Sequence, residues 1–307
     1  MLAVHEVTKR YGTIAANEDV SLVVRSGEVV GLLGHNGAGK TTLVNQVVGI
    51  ARPDSGSITV DGLDAVARPE QARRHCAVQA QASVPIDGLT PALAVELVGR
   101  IRGGNKADVR GRAAARFERL DMTAWKDRPT DKLSGGVKRL VAYCLAVAVP
   151  TPVVVLDEPT NDVDPVRRRL LWQEIRREAD SGAAVLLVTH NVHEAEHAVD
   201  RLVVLEGGRV LTQGTPSQLT AGLRDRLRLE LRSSPGRRPA PPPGVEVNDA
   251  RDGLLNATVS ADDAEHVMSW ARAAQRNGEI ETFAIQPASL EDAYVQLTAA
   301  VAEEAAG

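Results

Sequence analysis

The segment from Val29 to Val44 constrains the fold of this chain more than any other part of the sequence. Its apolar run Val29–Leu33 has the composition of a buried strand, and a glycine-rich turn then leads into a helix-forming stretch that begins at Lys40. Glycines let such a turn wrap closely around a ligand, and its N–H groups, like those of a helix N-terminus, carry partial positive charge. The segment therefore predicts a strand–loop–helix unit that binds phosphate.

The turn also has the spacing of the phosphate-binding loop pattern G-x-x-x-x-G-K-T. We expect Lys40 to reach the β- and γ-phosphates of a nucleotide, the hydroxyl of Thr41 to hold Mg²⁺, and Thr42 to bond a phosphate oxygen. The alternative is a glycine-rich turn with Lys and Thr present by chance, since such short patterns have false positives. The predicted phosphate contacts are Gly34, His35, Asn36, Gly37, Ala38, Gly39, Lys40, Thr41 and Thr42.

Composition argues against several other classes of protein. The 307 residues have a formal net charge of −4, so the chain has no overall basic field to attract nucleic acid. Cys76 and Cys144 match no metal-binding spacing, which favours reduced, buried thiols in a cytosolic protein. The N-terminus lacks a signal-peptide pattern, and the apolar stretch Leu140–Val149 is much shorter than the roughly 20 residues of a spanning helix. Any membrane role is therefore expected to depend on a separate partner.

Two further apolar runs end in residues that suit phosphate chemistry. Val153–Leu156 precedes Asp157 and Glu158, and Ala183–Thr189 precedes His190. The carboxyl ends of parallel strands line one crevice, so these side chains are expected to meet the phosphate-binding loop. Asp157 is suited to hold Mg²⁺, Glu158 to act as general base on an attacking water, and His190 to contact a γ-phosphate. The alternatives are an acidic pair that caps a helix and a histidine with an ordinary polar role.

A second anion site is predicted at Ser134-Gly135-Gly136, which stands before another helix-forming stretch. The chain between the two phosphate-binding segments is mostly helical in pattern. For both surfaces to act on one ATP, two chains must face each other head to tail.

Together these motifs resemble the nucleotide-binding subunit of an ATP-binding cassette (ABC) transporter. The resemblance covers about residues 1–220, where the family's motifs occur in the family's order. In addition to the phosphate loop, the matching segments are Tyr11 for the adenine-stacking loop, Gln81 for the glutamine loop, Leu133–Val137 for the signature, Val153–Glu158 for the second Walker motif, and Asp164 and His190 for the loops that follow it. Taken alone, Tyr11 favours the interpretation as a half-buried edge aromatic over that of a residue that stacks on adenine.

The resemblance implies an α/β fold of the P-loop NTPase class, with an antiparallel β subdomain and a helical subdomain at about residues 85–150. It also implies an ATPase in which two subunits, expected to be copies of this chain, enclose two ATP molecules. Gln81 would join Thr41 and Asp157 at the metal and would link the γ-phosphate side to a separate integral-membrane permease. The subunits would thus lie at the cytoplasmic face of the cell membrane. Lys40, Gln81, Glu158 and His190 would be the catalytic residues.

Some positions depart from the family pattern. Val137 stands where the signature usually has Gln, and His35 stands where Pro is common in the phosphate loop. The segment Asn161–Pro165 replaces the usual small-Gly-Leu-Asp-Pro, and the usual Pro before Gln81 is replaced by Ala. The residues expected to carry the chemistry keep the family's identities.

The composition changes after Thr220 and predicts a linker and a small α+β accessory domain over residues 221–307. Ser233–Gly244 is rich in Pro and reads as a linker or a long loop. Gln286–Thr298 resembles the tail of ATPases from drug- and antibiotic-efflux ABC systems, and an amphipathic packing helix is the alternative. The main expectation is an ATPase for an exporter of drugs, antibiotics or lipid-like molecules. The alternatives are a soluble ABC ATPase that acts on nucleic acid or ribosomes, and a regulatory module that binds ATP without turnover.

Overall fold

The computed structural model describes residues 1–81, 86–192, 196, 198–237 and 239–306, with the backbone alone from 299 onward. The chain divides into two compact units, Met1–Gln213 and Gly214–Gly307.

The first unit contains two sheets and a group of helices. Its strands are β1 (Leu2–Tyr11), β2 (Ile14–Val24), β3 (Val29–Leu33), β4 (Ser55–Val60), β5 (Leu63–Asp64), β6 (Cys76–Gln79), β7 (Val153–Asp157), β8 (Ala184–Thr189), β9 (Arg201–Glu206) and β10 (Arg209–Gly214). Its helices include α1 (Lys40–Val47), α2 (Pro69–Arg74), α3 (Pro91–Ile101), α4 (Lys106–Arg119), α5 (Gly135–Ala146) and α6 (Pro165–Asp180). The antiparallel sheet has the order β2-β1-β4-β5, and the larger sheet has the order β10-β9-β3-β8-β7-β6.

The larger sheet is buried on both faces. Strands β9, β3, β8, β7 and β6 pair in parallel. Within β7, Val154 and Leu156 pack in a core shared with the helices α3 to α6, whereas Val153 and Val155 pack in a second core shared with the antiparallel sheet and α1. Continuous apolar runs in the sequence therefore became central strands, because each successive side chain has a hydrophobic face to enter.

The helices α3, α4 and α5 form the helical subdomain predicted from the sequence. Each begins at a polar N-cap, with the side chains of Thr90, Asn105 and Ser134 accepting a main-chain N–H of the first turn. Phe117 of α4 and Tyr143 of α5 are among its fully buried side chains. Arg119 of α4 also makes a two-pronged ion pair with Glu174 of α6, at 2.6 and 2.8 Å. The subdomain is thus tied to the core by packing and by charge.

The second unit is built on one antiparallel sheet. Its elements are α7 (Pro216–Leu219), β11 (Arg226–Ser233), β12 (Val245–Arg251), β13 (Leu254–Ser260), α8 (Ala264–Arg276), β14 (Ile280–Pro287) and α9 (Leu290–Ala306). The strand order is β12-β13-β11-β14, and α8 packs on one face through Val267 and Ala274. Because β11 precedes the Pro-rich segment, that segment is a loop inside this unit, apart from Arg238, which lies outside the described residues.

The structure also bears on two expectations from composition, those about a membrane-spanning helix and about the two cysteines. Among the described residues, no helix has the length and apolar character needed to cross a membrane. Cys76 and Cys144 are free thiols, and both are buried. Burial raises the pKa of Cys76 to about 11 and that of Cys144 to about 12, so both act as neutral packing groups.

Candidate active site

The phosphate-binding loop lies between β3 and α1, as the sequence predicts. Gly37 and Gly39 have φ angles of 93° and 101°, a region that side chains disfavour. A Cβ atom at Gly39 would lie 2.2 Å from the carbonyl oxygen of Ala16, and one at Gly34 would lie 2.5 Å from that of Leu205. The loop therefore needs glycine at these positions, and it presents main-chain N–H groups at the start of α1, which suits a phosphate.

Lys40 points back into this loop. It is 8% exposed, and its Nζ donates to the carbonyl oxygens of Gly34 at 2.6 Å and His35 at 3.0 Å. Burial lowers the pKa of Lys40, while the nearby carboxylates of Glu158 and Asp157 act in the opposite direction. Thr41 is exposed and Thr42 is half-buried in the first turn of α1. A cation thus lies where phosphate oxygens would be enclosed.

His35 fastens the loop to the end of β9. Its Nε2 lies 2.9 Å from Oε1 of Glu206, and its Nδ1 lies 2.6 Å from the carbonyl oxygen of Asn36. Both neighbours are acceptors, and a neutral imidazole donates from one ring nitrogen only, so the tautomer of His35 decides which of the two contacts is a hydrogen bond. The contact with Glu206 depends on β9 and β3 being neighbours and was not predicted from the sequence.

Asp157, Glu158 and His190 meet at the carboxyl ends of neighbouring strands. β8 lies between β3 and β7 in the sheet, so the residues that follow these three strands share one edge. Asp157 and Glu158 are each 5% exposed, whereas the His190 side chain is about half exposed. Burial, and then the neighbouring Glu158, raise the pKa of the Asp157 carboxyl, and Arg139 and Lys40 oppose this shift. The two carboxylates therefore form a desolvated acidic pair beside Lys40.

The carboxylate of Glu158 is held in place by the end of β8. Nδ1 of His190 lies 2.6 Å from Oε1 of Glu158, which also accepts the main-chain N–H of His190 at 2.9 Å. The hydroxyl of Thr189 donates to Oε2 at 3.2 Å. Glu158 has a φ of 50°, a conformation uncommon for residues other than glycine, and such strain concentrates at functional sites. The side chain is thus a preorganised carboxylate with a histidine as its neighbour.

The remaining predicted nucleotide contacts lie at the surface of the first unit. Tyr11 ends β1 and is 53% exposed, with Nζ of Lys9 5.4 Å from its ring centre. Gln81 is exposed two residues after β6, whereas Gln79 is buried and donates to the carbonyl oxygen of Arg139. An accessible glutamine side chain is thus available at position 81.

Ser134, Gly135 and Asp164 are exposed, but they also have local structural tasks. The hydroxyl of Ser134 accepts the N–H of Val137 at 3.4 Å and so caps α5. A Cβ atom at Gly136 would lie 2.3 Å from the carbonyl oxygen of Asp162, which explains why glycine stands there. Asp164 caps α6 by accepting the N–H groups of Val166 and Arg167 at 3.1 Å each, and its other oxygen accepts from the Arg167 guanidinium. The contacts of Asp164 within this chain are therefore helix capping and an ion pair with Arg167.

A Mg²⁺ ion fits the donor set of this site when it is bound together with a nucleotide. The structure shows, over the residues it describes, no cluster of three or more His, Cys, Asp or Glu side chains arranged to hold a metal by themselves. Mg²⁺ is commonly held by one or two carboxylates together with substrate phosphates, and Asp157 lies at the end of the sheet that carries the phosphate-binding loop.

Arg139 donates to the carbonyl oxygens of Asp157 and Glu158, and the sequence did not predict this contact.

Comparisons with known proteins identify the family. The ABC transporter family model matches residues 17–161. The chain is 31% identical over 305 residues to the daunorubicin/doxorubicin resistance ATP-binding protein DrrA of Streptomyces peucetius, which covers 97% of this chain and 92% of that protein. It is also 36% identical over 225 residues to the Nod factor export ATP-binding protein I of Ralstonia nicotianae, which covers 71% of this chain and 68% of that protein.

Solved structures show the same fold. A structure described as the ATP binding subunit of an ABC transporter has a TM-score of 0.68 and 29% identity, over 72% of this chain and 92% of that chain. A dimeric ATP-binding cassette in a post-hydrolysis state, bound to ADP and Pi, has a TM-score of 0.63 and 25% identity, over 70% of this chain and 98% of that chain. These matches confirm the predicted fold class.

The match to DrrA over nearly the full length of both chains agrees with the geometry of the site, where the phosphate-binding loop, Asp157, Glu158 and His190 lie at the same end of the parallel sheet. Proteins of this kind form cassette dimers and work with membrane permeases. This chain belongs to the ABC transporter family, in which it is an ATP-binding, ATP-hydrolysing subunit.

Proposed function

We propose that this chain powers an ABC exporter by hydrolysing Mg-ATP between two copies of itself and driving a separate integral-membrane permease. The observation that carries the proposal is the meeting of Lys40, Asp157, Glu158 and His190 at one edge of the parallel sheet. This edge combines a phosphate cradle, a buried cation and an oriented carboxylate. These are the parts that phosphoryl transfer to water requires.

Glu158 is the general base in this proposal. Its carboxylate accepts a proton from the water that attacks the γ-phosphorus, and the bond from the γ-phosphorus to the bridging oxygen breaks as ADP leaves. His190 and Thr189 hold the two carboxylate oxygens, so the base is oriented before substrate arrives. Lys40 exchanges its two carbonyl partners for phosphate oxygens and balances the charge on the phosphate chain.

Thr41, Asp157 and Gln81 would hold Mg²⁺ when nucleotide is bound. When bound, the ion would supply neutralisation of the charge on the phosphates. Asp157 would supply the carboxylate, Thr41 a hydroxyl beside the loop, and Gln81 an amide oxygen from the exposed segment after β6. Gln81 is also the residue through which the permease would sense the γ-phosphate.

The signature segment Ser134–Gly136 completes the site of a second subunit. Ser134 and Gly135 are exposed at the N-terminus of α5, so their amides are available to a phosphate from outside the subunit. The side chain of Val137, at the position of the usual Gln, instead packs in the hydrophobic core. The contact with the second nucleotide would therefore come from the serine and the main-chain amides.

The names of similar proteins suggest the cargo and the direction of transport. DrrA is named for resistance to daunorubicin and doxorubicin, and the Nod factor protein is named for export. We therefore propose export of drugs, antibiotics or lipid-like molecules, with this subunit at the cytoplasmic face of the membrane through its permease.

The shared site is tested by two variants of the full chain. Glu158→Gln keeps the shape of the side chain but removes the base, so ATP is expected to bind without being hydrolysed. Hydrolysis is expected to fall on the order of 10³-fold, and the variant should accumulate as an ATP-dependent dimer. Adding Ser134→Arg places charge and bulk at the shared surface and should return this dimer to monomer.

Light scattering with and without Mg-ATP gives the oligomeric state, and phosphate release gives the rate of hydrolysis. Hydrolysis by Glu158→Gln at the wild-type rate would exclude Glu158 as the base. Tight ATP binding by a chain that stays monomeric, both alone and with its permease, would exclude the shared site.

A further inference from the structure

Arg139 joins three segments of the proposed site within one subunit. It lies in α5, five residues after Ser134. Its Nε and Nη2 donate to the carbonyl oxygen of Glu158 at 2.9 and 2.6 Å, and Nη2 also donates to that of Asp157. Its Nη1 donates to the carbonyl oxygens of Ala80 and Gln81, at 3.0 Å each. One side chain therefore reaches four main-chain carbonyl groups at the ends of two strands.

Arg139 and the end of β6 each donate hydrogen bonds to the other. The side-chain amide of Gln79 donates to the carbonyl oxygen of Arg139 at 3.2 Å, while the Arg139 guanidinium binds the next two residues of the chain. The negative charges that act on the guanidinium are those of Asp157, Glu158 and Asp162. An arginine keeps its proton even in a partly buried position, and its planar fork spans several acceptors.

Arg102 provides an internal comparison with similar chemistry. It follows α3 and donates to the carbonyl oxygens of Ala146, at the last residue of α5, and Cys76, at the first residue of β6, at 2.6 and 2.7 Å. Two arginines thus tie α5 to β6, one near each end. Arg139 contacts the residues that follow β6, on the side of the proposed catalytic residues, whereas Arg102 contacts the first residue of β6 and the last residue of α5.

We propose that Arg139 is a positioning residue that couples the signature helix to the catalytic base and to the segment bearing Gln81. This inference rests on the proposed function, since it assigns roles to Glu158 and to the signature. When Ser134–Gly136 engages a nucleotide, a shift of α5 is passed through the guanidinium to the main chain at positions 157–158 and 80–81. Loss of the fork leaves ATP binding intact, because Lys40 and its loop stand on other elements, but misplaces the base.

The experiment compares Arg139→Leu and Arg139→Lys with the matched variants Arg102→Leu and Arg102→Lys in the full chain. We expect Arg139→Leu to lower kcat about 100-fold, since small displacements of catalytic groups have effects of this size. Arg139→Lys should lower kcat about tenfold, because an ammonium is a point charge without the planar fork. The Kd for Mg-ATP should stay within about twofold for both variants, which marks the loss of an interaction made in the transition state.

The Arg102 variants should lower the midpoint of thermal unfolding by a similar amount to the Arg139 variants while keeping kcat within about twofold of wild type. If Arg139→Leu does not fold, the Arg139→Lys variant still decides the question.

Three results would overturn the inference. They are a wild-type kcat in a folded Arg139→Lys variant, a kcat loss in the Arg102→Lys variant equal to that in Arg139→Lys, or a rise in the Kd for Mg-ATP of Arg139→Lys as large as its fall in kcat/KM. Glu158→Gln in the same assay separates this inference from the proposed function. If Glu158→Gln retains hydrolysis, the proposed function fails, whereas an inactive Glu158→Gln beside a fully active Arg139→Lys removes the coupling role alone.

Discussion

The two units of this chain use β-sheets in different ways. In the first unit, a sheet of mainly parallel strands is buried on both faces, so polar groups collect at the carboxyl ends of the strands. In the second unit, an antiparallel sheet buries one face under α8 and carries charged side chains on the other, including Arg226 paired with Glu246 at 2.5 Å. Arg228 similarly pairs with Glu230 at 2.6 Å.

This difference shows where chemistry concentrates. In a parallel sheet covered on both faces, loops converge at the carboxyl ends of the strands, and the phosphate-binding loop, Asp157, Glu158 and His190 all lie there. The charged face of the second sheet instead pairs opposite charges with each other: Arg226 of β11 reaches across β13 to Glu246 of β12, and Arg228 and Glu230 lie on one strand. The comparison therefore predicts that changes in the first unit alter catalysis, whereas equally severe changes in the second unit alter local stability.

The largest expected effect comes from Lys40→Ala. Removing the cation from the phosphate cradle should lower ATP hydrolysis on the order of 10³-fold, because charge balance at the phosphates is lost. The fold should persist because, within the described residues, the lysine amine bonds only to carbonyl oxygens of the loop. The packing of α1 comes from Leu43 and Val44, which the substitution leaves in place. Phosphate release and circular dichroism measure the two properties. Turnover at the wild-type rate would contradict the assignment of the first unit as the catalytic one.

A smaller effect is expected from two matched core substitutions, Leu156→Ala in β7 and Leu229→Ala in β11. Both leucines are fully buried, and truncation of such a side chain costs about 2–5 kcal/mol of stability. Leu156 precedes Asp157, so its loss should also lower kcat, whereas Leu229→Ala should leave kcat within about twofold. Thermal unfolding and steady-state kinetics test the pair. Equal loss of kcat in both variants would show that the second unit contributes to catalysis.

The smallest effect on the site is expected from ending the chain after Gln213. All of the family's motifs precede this point. The cut removes β11 together with its sheet partners β13 and β14, so no strand of the second sheet is left behind. The shortened chain should fold and bind Mg-ATP with a Kd within about threefold of the full chain. Calorimetry of both proteins makes the comparison. A folded but non-binding product would show that residues after Gln213 are needed for the nucleotide site.

A second truncation sharpens this result. A cut near Ser233 would leave β11 attached to the first unit without its sheet partners, and would expose the buried Leu229 and Leu231. This longer product should therefore aggregate more readily than the chain that ends at Gln213. Light scattering of the two truncated chains at equal concentration tests the expectation.

The sequence by itself determined those features whose signals are local. The strand, glycine turn and helix around Lys40 were predictable because glycine conformations and helix starts depend on neighbouring residues. The buried strands before Asp157 and His190 were also predictable, because a continuous apolar run has few other solutions in a protein of this composition. From these strands followed the expectation of a shared edge, which the parallel pairing of β3, β8 and β7 confirms.

The tertiary structure decided the contacts between residues far apart in the chain. Arg139 finds Ala80 and Glu158, and His35 finds Glu206, because neighbouring strands and helices bring them together. It also decided that the Pro-rich segment lies inside the second unit, since β11 before this segment pairs with β13 and β14 after it. Side-chain ties and strand pairing of this kind depend on distances in space, which local residue patterns do not encode.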